Sequence, residues 1–287
     1  MRYEAPTTSS EAATLLAGES GEAFVLAGGT DLLVRMKGMM VEPELVVDIK
    51  RITAMGTIET TDGGGFRIGA AVPGIEVGEH EALRRAWPGI VEAVQLIGSD
   101  QIQGRCTIAG NVCNASPAAD TTPALIAADA QVEIVGPNGR RTLPVASVAT
   151  GPGQTSLARG ELVEAILLPP RPANSGDAYL RFTPRSEMDI AVVGAGVSLT
   201  LEDGVVSAAR VALGAVAPTA VEVEPASAAI VGSTLDDSAL DALVAACRAA
   251  CKPIDDKRGT IEYRTEVAGV LAKRAALIAF ERAGGSR

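Results

Sequence analysis

The sequence predicts an α+β protein of two domains, and three observations lead to this prediction. Apolar residues make up 47% of the 287 residues, which is enough to fill sizeable cores and too much for a disordered chain. Short strand-like runs alternate irregularly with helical segments through the first part of the chain. A stretch rich in proline, glycine and polar residues, 167–178, then precedes a different pattern and is predicted to be a linker. We therefore expect domains at residues 1–175 and 176–287.

The first domain is predicted to begin with a capped helix. Thr8 and Glu11 have the spacing of a capping box ahead of EAATLLAG. EALRRAWPGIVEAVQLIG predicts a helix interrupted at Pro88, DTTPALIAAD predicts the start of another, and QVEIVGPNGRRTLP predicts a hairpin that turns at residues 137–139. Strands are predicted at residues 24–26, 45–49 and 66–72.

The second domain is predicted to be smaller, with antiparallel strands packed against helices. AYLRF, IAVVGAGVSLTL and VVSAARVALGAV have the composition of strands, and Glu202-Asp203-Gly204 between the last two predicts a hairpin turn. SALDALVAACRAAC and EYRTEVAGVLAKRAALIAFERA predict two long helices near the end of the chain.

Charge and composition exclude several classes of function. The net charge of −10 and the lack of a Lys/Arg cluster argue against a nucleic-acid partner, because phosphate backbones are bound by basic surfaces. The apolar runs are shorter than the ~20 residues of a membrane-spanning helix. The first residues, MRYEAPTTSSEAATLL, lack a basic segment followed by an apolar run. We therefore expect a cytoplasmic protein.

Cysteine and histidine provide little for metal chemistry. None of the four cysteines belongs to a CxxC motif. Cys247 and Cys251 are spaced like two ligands on one helix face, but we interpret them as buried apolar positions of an alanine-rich helix. The single histidine, His80, excludes a polyhistidine site and is predicted at a solvated helix start.

A first glycine turn, LAGGTDLL at residues 26–33, follows a predicted strand and precedes a predicted helix. The unhindered amides at Gly28 and Gly29 would form a cradle for a pyrophosphate, and Thr30 adds a hydroxyl. Asp31 would repel phosphate, so it is predicted to be the N-cap of the helix. The alternative is an ordinary tight turn.

A second segment, CTIAGNVCNASPAAD at residues 106–120, has almost no bulk and is predicted to bury little surface. Small side chains allow a ligand to approach the backbone closely. Hydroxyls, amides and the carboxylate of Asp120 offer donors and acceptors to a polyol. The alternative is a surface loop capped by Ser116 and Asp120. The presence of two such segments in one chain favours a cofactor site.

A third glycine pair does not predict a nucleotide site. GAGVSL at residues 194–199 has only the first two glycines of the dinucleotide fingerprint, and a hairpin follows it where a helix is required. We interpret it as a strand whose small residues allow close packing.

Four segments in order resemble one known family over essentially the whole chain. AGGTDLL, CTIAGNVCNASPAAD, YLRFTPRSEMDIAVVGAGVSL and EYRTEVAGVLAKRAAL are similar to the FAD-binding medium subunit of molybdenum hydroxylases, the xanthine dehydrogenase and carbon monoxide dehydrogenase family. The resemblance implies a two-part FAD-binding domain of the vanillyl-alcohol-oxidase (PCMH) type. A C-terminal domain like that of the carbon monoxide dehydrogenase flavoprotein would follow, with FAD extended between the two domains.

The resemblance also implies the residues that bind FAD. Amides at Gly28, Gly29 and Thr30 would hold the pyrophosphate together with Thr107, Gly110 and Asn111. Ser116 and Asp120 would bond the ribityl or ribose hydroxyls, Leu162 or Val163 would lie near the adenine, and Ile190 near the flavin ring. The full implied set is Leu26, Ala27, Gly28, Gly29, Thr30, Asp31, Leu32, Thr107, Ile108, Ala109, Gly110, Asn111, Ser116, Asp120, Leu162, Val163, Arg181 and Ile190. It implies no catalytic side chain and no metal ligand in this chain.

Two positions depart from the family pattern. The family usually has two glycines where this chain has Ala109-Gly110, and it often has lysine at the position of Arg181. One methyl group is a small intrusion, so we expect the site to survive. Arginine keeps the charge but is wider and forked, which changes the detailed contact.

The resemblance implies work in a complex. A large subunit with a molybdenum cofactor would oxidise the substrate, and a small subunit with two [2Fe–2S] clusters would pass electrons to FAD in this chain. An external acceptor, such as NAD⁺, a quinone or oxygen, would receive them. The heterotrimer would dimerise in the cytoplasm, with association with the inner face of the membrane as an alternative. The rival hypotheses are a stand-alone FAD-dependent oxidase or dehydrogenase with its own substrate, and a scaffold that has lost FAD.

Overall fold

The structure is a computed structural model that describes residues 1–186 and 188–286. The chain begins with a small parallel sheet in the strand order β1-β3-β2. Its elements are strand β1 (Arg2–Glu4), helix α1 (Ser9–Gly18), strand β2 (Ala23–Leu26), helix α2 (Leu32–Lys37) and strand β3 (Leu45–Asp48).

A five-stranded antiparallel sheet forms the body of the first domain, in the order β4-β5-β10-β6-β7, and short helices cover it. The elements are β4 (Ile58–Thr60), β5 (Phe66–Gly69), α3 (Gly74–Glu79), α4 (Glu81–Ala86), α5 (Pro88–Gln95), α6 (Asp100–Gln103), α7 (Ile108–Cys113), α8 (Thr121–Ala127), β6 (Gln131–Gly136), β7 (Gly139–Pro144), β8 (Ala149–Gly151), β9 (Gln154–Thr155) and β10 (Leu162–Leu168). Strands β8 and β9 pair as a separate ribbon.

The second domain is an antiparallel sheet in the order β11-β12-β13-β14, with helices packed against it. Its elements are β11 (Ser175–Phe182), β12 (Val193–Glu202), β13 (Val205–Gly214), β14 (Val221–Glu222), α9 (Glu224–Ile230), α10 (Asp237–Ala250) and α11 (Ile261–Arg282). Asp203 and Gly204 both have positive φ at the predicted β12–β13 turn, as a tight hairpin requires. The predicted α+β class is confirmed.

Local sequence signals account for the first helices. The Thr8 hydroxyl accepts a hydrogen bond from the Glu11 amide at 3.2 Å and caps α1, while the Glu11 carboxylate accepts one from Thr7 and not from Thr8 itself. Pro88 occupies the first turn of α5, where its missing N–H costs nothing. His80 is half-buried and not solvated as predicted, because its Nδ1 accepts from the Leu83 amide and its ring packs edge-on against Phe66.

Small residues bring the sheets and helices close together. A Cβ atom at Gly196 in β12 would lie 2.6 Å from the Pro123 carbonyl oxygen of α8, so the GAGVSL segment is a packing strand, as interpreted from the sequence. Cys247 is a buried position of α10, as interpreted, whereas Cys251 is half-buried and follows the last residue of α10, with its thiol donating to the Cys247 carbonyl at 3.2 Å. Within the described residues there is no group of metal-ligating side chains.

The predicted linker at residues 167–178 is largely wrong. β10 continues to Leu168 and β11 already begins at Ser175, so only residues 169–174 lie outside strands. Asp177 is 4% exposed; it accepts a hydrogen bond from the Gly89 amide at 2.8 Å and pairs with Arg171 at 3.0 Å. The polar residues that suggested a flexible linker are used in contacts between the domains. None of the helices in residues 1–186 and 188–286 combines the length and apolar character needed to cross a bilayer.

Candidate cofactor site

The structure brings the two glycine-containing segments together. Gly28 follows β2, and a Cβ atom at this position would overlap the carbonyl oxygen of Arg105, so only glycine allows this approach. Gly29 has a φ of 78°, a left-handed conformation that glycine adopts without steric cost. The turn after β2 therefore packs directly against the backbone that leads into α7.

A cleft of about 340 Å³ lies beside this contact. Its walls come from the β2–α2 turn, from α7, and from the chain between β8 and β10. The predicted site residues that line it are Ala27, Gly28, Gly29, Thr30, Asp31, Leu32, Thr107, Ala109, Gly110, Asn111, Leu162 and Val163.

A charged network holds the carbonyl side of the first glycine turn. Lys50 Nζ donates to the Ala27 carbonyl oxygen at 3.1 Å and to Asp48 at 2.7 Å, and the Tyr3 hydroxyl donates to the same carboxylate at 2.6 Å. Burial alone would raise the pKa of Asp48, but the hydrogen bonds from Lys50 and Tyr3 lower it below its ordinary value. Asp48 therefore stays ionised and anchors Lys50 against the turn.

Asp31 does not cap α2 with its side chain, contrary to the sequence prediction. It occupies the N-cap position, but its φ of −100° and ψ of −50° are helical, and its carboxylate makes no capping bond. Instead Asn114 Nδ2 donates to Asp31 Oδ1 at 3.3 Å. The Asp31 carboxylate thus bonds to Asn114 of the second segment, and this contact links the two walls of the cleft.

The second segment contains the short helix α7 and continues through turns to Asp120, and about half of its residues are buried, so the prediction that it buries little is wrong. Thr107 caps α7 by accepting a hydrogen bond from the Gly110 amide at 2.9 Å. The residues of the segment with under one-tenth of their surface exposed are Cys106, Thr107, Ile108, Ala109, Val112, Ala115, Ala119 and Asp120. Small side chains here allow helix α7 to pack closely inside the domain; they do not indicate exposure.

The thiols beside the cleft are poor nucleophiles. Cys106 and Cys113 both line it, and burial raises their pKa values to about 11 and about 12, respectively. At neutral pH both remain protonated, and it is the thiolate form that attacks electrophiles and binds metals. The cysteines therefore serve as small packing residues.

Asn111 is oriented by a second polar contact. Its Oδ1 accepts from the backbone amide of Thr121 at 3.1 Å and from the Thr121 hydroxyl at 2.6 Å. Because the backbone amide is only a donor, this pairing identifies the side-chain oxygen and leaves Nδ2 as the donor group. Within the described residues Nδ2 has no protein acceptor, so it can donate to a ligand in the cleft.

Several predicted site residues lie outside the cleft wall. Ile108 is in the core, the Ser116 hydroxyl accepts from the Ala118 amide at 3.2 Å, and Ile190 is 53% exposed in the second domain. The predicted residues that do not line the cleft are Leu26, Ile108, Ser116, Asp120, Arg181 and Ile190. Their contact with a cofactor remains a prediction.

Asp120 and Arg181 meet at the boundary between the domains. The Asp120 carboxylate accepts from the Tyr179 hydroxyl at 3.0 Å and pairs with Arg181 at 3.0 Å, and Arg181 also donates to the Leu96 carbonyl at 2.8 Å. Burial raises the pKa of Asp120 to about 6 against the opposing effect of Arg181. Both carboxylate oxygens are thus engaged by groups of the second domain.

The structure adds residues to the cleft that the sequence interpretation did not assign. Asn114 belongs to the quoted second segment, and Arg35 follows Asp31 by one helical turn, so proximity in sequence was an available signal for both. Thr155, Leu157 and Glu161 come from a distant part of the chain, for which no motif was available. The unassigned residues are Phe24, Val25, Arg35, Ile49, Ala70, Ile97, Cys106, Cys113, Asn114, Gly153, Thr155, Leu157 and Glu161.

The cleft fits an extended ligand with phosphates and flat rings. Gly28 leaves the first turn without a side chain, and backbone amides in such turns bind phosphate oxygens. Asn111 adds an oriented amide donor. Apolar surfaces from Ile49, Leu162 and Val163 are suited to aromatic rings.

Known families cover both domains. The FAD binding domain in molybdopterin dehydrogenase matches residues 1–171, and the CO dehydrogenase flavoprotein C-terminal domain matches residues 178–279. These matches, with the architecture described above, confirm the predicted fold class of a two-part FAD-binding domain followed by a small C-terminal domain.

Individual relatives align over nearly the whole chain. The carbon monoxide dehydrogenase medium chain of Hydrogenophaga pseudoflava is 34% identical over 280 residues, which cover 98% of this chain and 97% of the relative. The xanthine dehydrogenase FAD-binding subunit of Escherichia coli O157:H7 is 30% identical over 284 residues, covering 99% and 97%. A solved structure of carbon monoxide dehydrogenase from Hydrogenophaga pseudoflava superimposes with a TM-score of 0.94 at 35% identity, covering 98% of both chains. The chain therefore belongs to the family of FAD-binding subunits of molybdenum hydroxylases, the family that its sequence motifs resemble.

Proposed function

We propose that this chain is the FAD-carrying electron-transfer subunit of a molybdenum hydroxylase complex, which takes electrons from [2Fe–2S] clusters of a partner and delivers them to an external acceptor. Bound FAD supplies the redox chemistry, and the protein supplies its position and surroundings. The observation that carries the proposal is the packing of Gly28 against the Arg105 backbone, which joins the two glycine-containing segments into one cleft wall.

The residues of the cleft have distinct proposed roles. Amides of Gly28, Gly29 and Thr30 face the pyrophosphate, and Asn111 donates to it through Nδ2. Leu162 and Val163 line the adenine end. Thr107 holds α7 in place through its cap, and Lys50 holds the first turn through the Ala27 carbonyl. The two carboxylates of the described lining are held by neighbouring side chains, Asp31 by Asn114 and Glu161 by Arg141.

The remaining predicted residues are proposed to act at the domain boundary. Asp120 and Arg181 form a buried pair whose members come from different domains, so they hold β11 against the end of α5. Such a pair positions the second domain beside the cleft. Ile108 packs in the core behind the cleft wall, Leu26 ends β2, Ser116 holds the turn after α7 through the Ala118 amide, and Ile190 is exposed.

The proposed partners are a large molybdenum-cofactor subunit and a small [2Fe–2S] subunit, assembled as a dimer of heterotrimers in the cytoplasm. One observation supports an electron relay. The relatives are named as a medium chain and a FAD-binding subunit, which are parts of larger enzymes.

A native purification tests the proposal. The tagged chain is isolated from its source cell, and the eluate is analysed for flavin absorbance, molybdenum, iron and co-purifying polypeptides. We expect FAD, molybdenum, iron and two further chains. A single polypeptide with flavin and no metal would contradict the relay and favour a stand-alone oxidase. An eluate without flavin would favour a scaffold that has lost the cofactor.

A further inference from the structure

Arg35 occupies an unusual position at the cleft. It lies on α2, one helical turn after the Gly28-Gly29 turn, and its side chain is exposed to solvent. Its guanidinium group stacks over the ring of Phe24, with 5.7 Å between its central carbon and the ring centroid. Both residues line the cleft. The attraction between the ring and the guanidinium group favours a position of Arg35 beside the cleft.

Arg35 is also the only cation among the described residues that line the cleft. The two acids of the lining have partners: Arg141 pairs with both oxygens of Glu161 at 2.7 Å, and Asn114 donates to Asp31. Arg35 has no carboxylate partner within residues 1–186 and 188–286. Asn114 is neutral, so the charge of Asp31 is not cancelled, but Arg35 is still the one positive charge of the described lining that has no ion-pair partner, in a chain whose net charge is −10.

A positive charge at this position would strengthen pyrophosphate binding by the amides of the first glycine turn. The ligand carries two negative charges, and the field of an acidic protein opposes its approach. Amides at the glycine turn offer only partial charges. A guanidinium group offers a full charge and two parallel donors that match the geometry of phosphate oxygens.

We propose that Arg35 is a specificity-determining residue of the cofactor site, which pairs with the pyrophosphate and makes the cleft prefer a dinucleotide to ligands without one. This inference rests on the proposed function in that it takes the cleft to be the FAD site. It also explains why Arg35 remains unpaired although acidic residues outnumber basic ones in the sequence, 35 to 25.

The test compares Arg35→Gln with Lys37→Gln, a matched control. Lys37 lies on the same helix and is exposed, but it does not line the cleft. Each variant removes one positive charge, so the two differ only in whether that charge lies at the cleft. The full chain is stripped of flavin, and its affinities for FAD, ADP and adenosine are measured by titration calorimetry. Circular dichroism and thermal unfolding check that each variant is folded.

We expect Arg35→Gln to weaken FAD and ADP binding by about 10- to 100-fold, the range for a charged hydrogen-bonded contact. Adenosine, which has no phosphate, should bind within about 2-fold of the wild type. Raising the salt from about 50 to about 300 mM should weaken ADP binding to the wild type more than to the variant, because salt screens the charge. The affinity of Arg35→Lys for FAD and ADP should lie between those of the wild type and Arg35→Gln, because lysine keeps the charge but lacks the two parallel donors of the guanidinium group.

Four results are decisive. Equal effects of Arg35→Gln and Lys37→Gln would overturn the role of Arg35, and so would equal effects of Arg35→Gln on ADP and adenosine binding. If the wild-type chain and the Arg35→Gln variant bind FAD with equal affinity, this inference is overturned and the proposed function stands. Wild-type chain that binds no FAD would overturn both.

Discussion

Gly28 in the first domain and Gly176 in the second each lie too close to a neighbouring backbone for any side chain, but the close contact has a different consequence in each domain. In each case a Cβ atom would overlap a backbone carbonyl oxygen, that of Arg105 for Gly28 and that of Ala279 for Gly176. In the first domain the close approach joins two short segments and leaves a cleft beside them. In the second domain it seats the long helix α11 on strand β11 and leaves no space. Glycine therefore permits a ligand site in one region and close packing in the other.

The two regions also differ in where their stability comes from. The second domain has long paired strands and the long helix α11, whose buried face is rich in alanine, so similar packing contacts recur along the helix. The cleft wall is built from α2 and α7, which have six residues each and depend on single contacts such as the Thr107 cap. Changes in the cleft should therefore affect the ligand most, and changes in the sheet should affect folding most.

The largest expected effect is that of Gly28→Ala on flavin binding. The added methyl group must displace the Arg105 backbone, so the two walls of the cleft separate. We expect a loss of roughly 3 kcal/mol in binding, or about 100-fold in affinity. Flavin content of the purified chain and titration with FAD measure it. Gly18→Ala is the control, because no atom lies within 4 Å of the new methyl group; an equal loss there would refute the steric explanation.

Gly176→Ala should have the opposite effect to Gly28→Ala: it should lower the stability of the fold and leave FAD binding almost unchanged. The methyl group would push α11 away from β11, and overpacking of this kind costs roughly 2 kcal/mol in the free energy of unfolding. FAD affinity should stay within about 3-fold of the wild type, since the strand does not line the cleft. Urea unfolding and flavin titration on the same samples give both numbers. A variant that loses flavin but not stability would break the comparison between the two regions.

The boundary between the regions should respond to pH through Asp177. Burial raises its pKa to about 6, although Arg171 and the Gly89 amide favour the ionised form. Because the folded-state pKa exceeds the ordinary value of 3.8, the folded chain holds the proton more tightly than the unfolded chain. Its contribution to stability is complete below the unfolded pKa and is lost as the pH rises through about 6.

We therefore expect Asp177→Asn to remove part of the pH dependence of stability, on the order of 1 to 2 kcal/mol between about pH 4.5 and 7.5. Urea unfolding of wild type and variant at the two pH values measures the difference. Asp120, whose pKa is also raised to about 6, should keep a residual slope of the same sign in the variant. Identical slopes in the two proteins would show that Asp177 is not the titrating group.

The smallest effect is expected from Ala109→Gly, which restores the glycine pair usual in the family. Ala109 lies inside α7 and is buried, and glycine in a helix costs about 1 kcal/mol relative to alanine. FAD affinity should change by less than about 3-fold, because the alanine methyl is already accommodated in the folded cleft. A large gain in flavin content would mean that Ala109 obstructs the site and would revive the scaffold hypothesis.

Local signals in the sequence predicted most of the elements. The Thr8 cap, the break at Pro88, both hairpin turns and the last two helices depend on residues close together in the chain, so they were readable without tertiary information. Helix α7 was missed because its six residues, IAGNVC, are too few and too small to show a helical pattern of bulky residues. The predicted linker was too long because an aspartate in a polar stretch suggests a surface residue. The contacts of Asp177 with Gly89 and Arg171, which bury it, cannot be predicted from neighbouring residues.

By itself, the sequence determined the family, the α+β class and the two glycine-containing segments, because glycine turns and family motifs are encoded in consecutive residues. Only the tertiary structure decided that Gly28 packs on Arg105, that Thr155 and Leu157 complete the cleft, and that Asp120 is engaged by Tyr179 and Arg181. These features depend on which distant segments meet and on which donors reach a carboxylate first. The packing of the whole chain determines which segments meet and which donors reach Asp120, and the local order of residues does not contain that information.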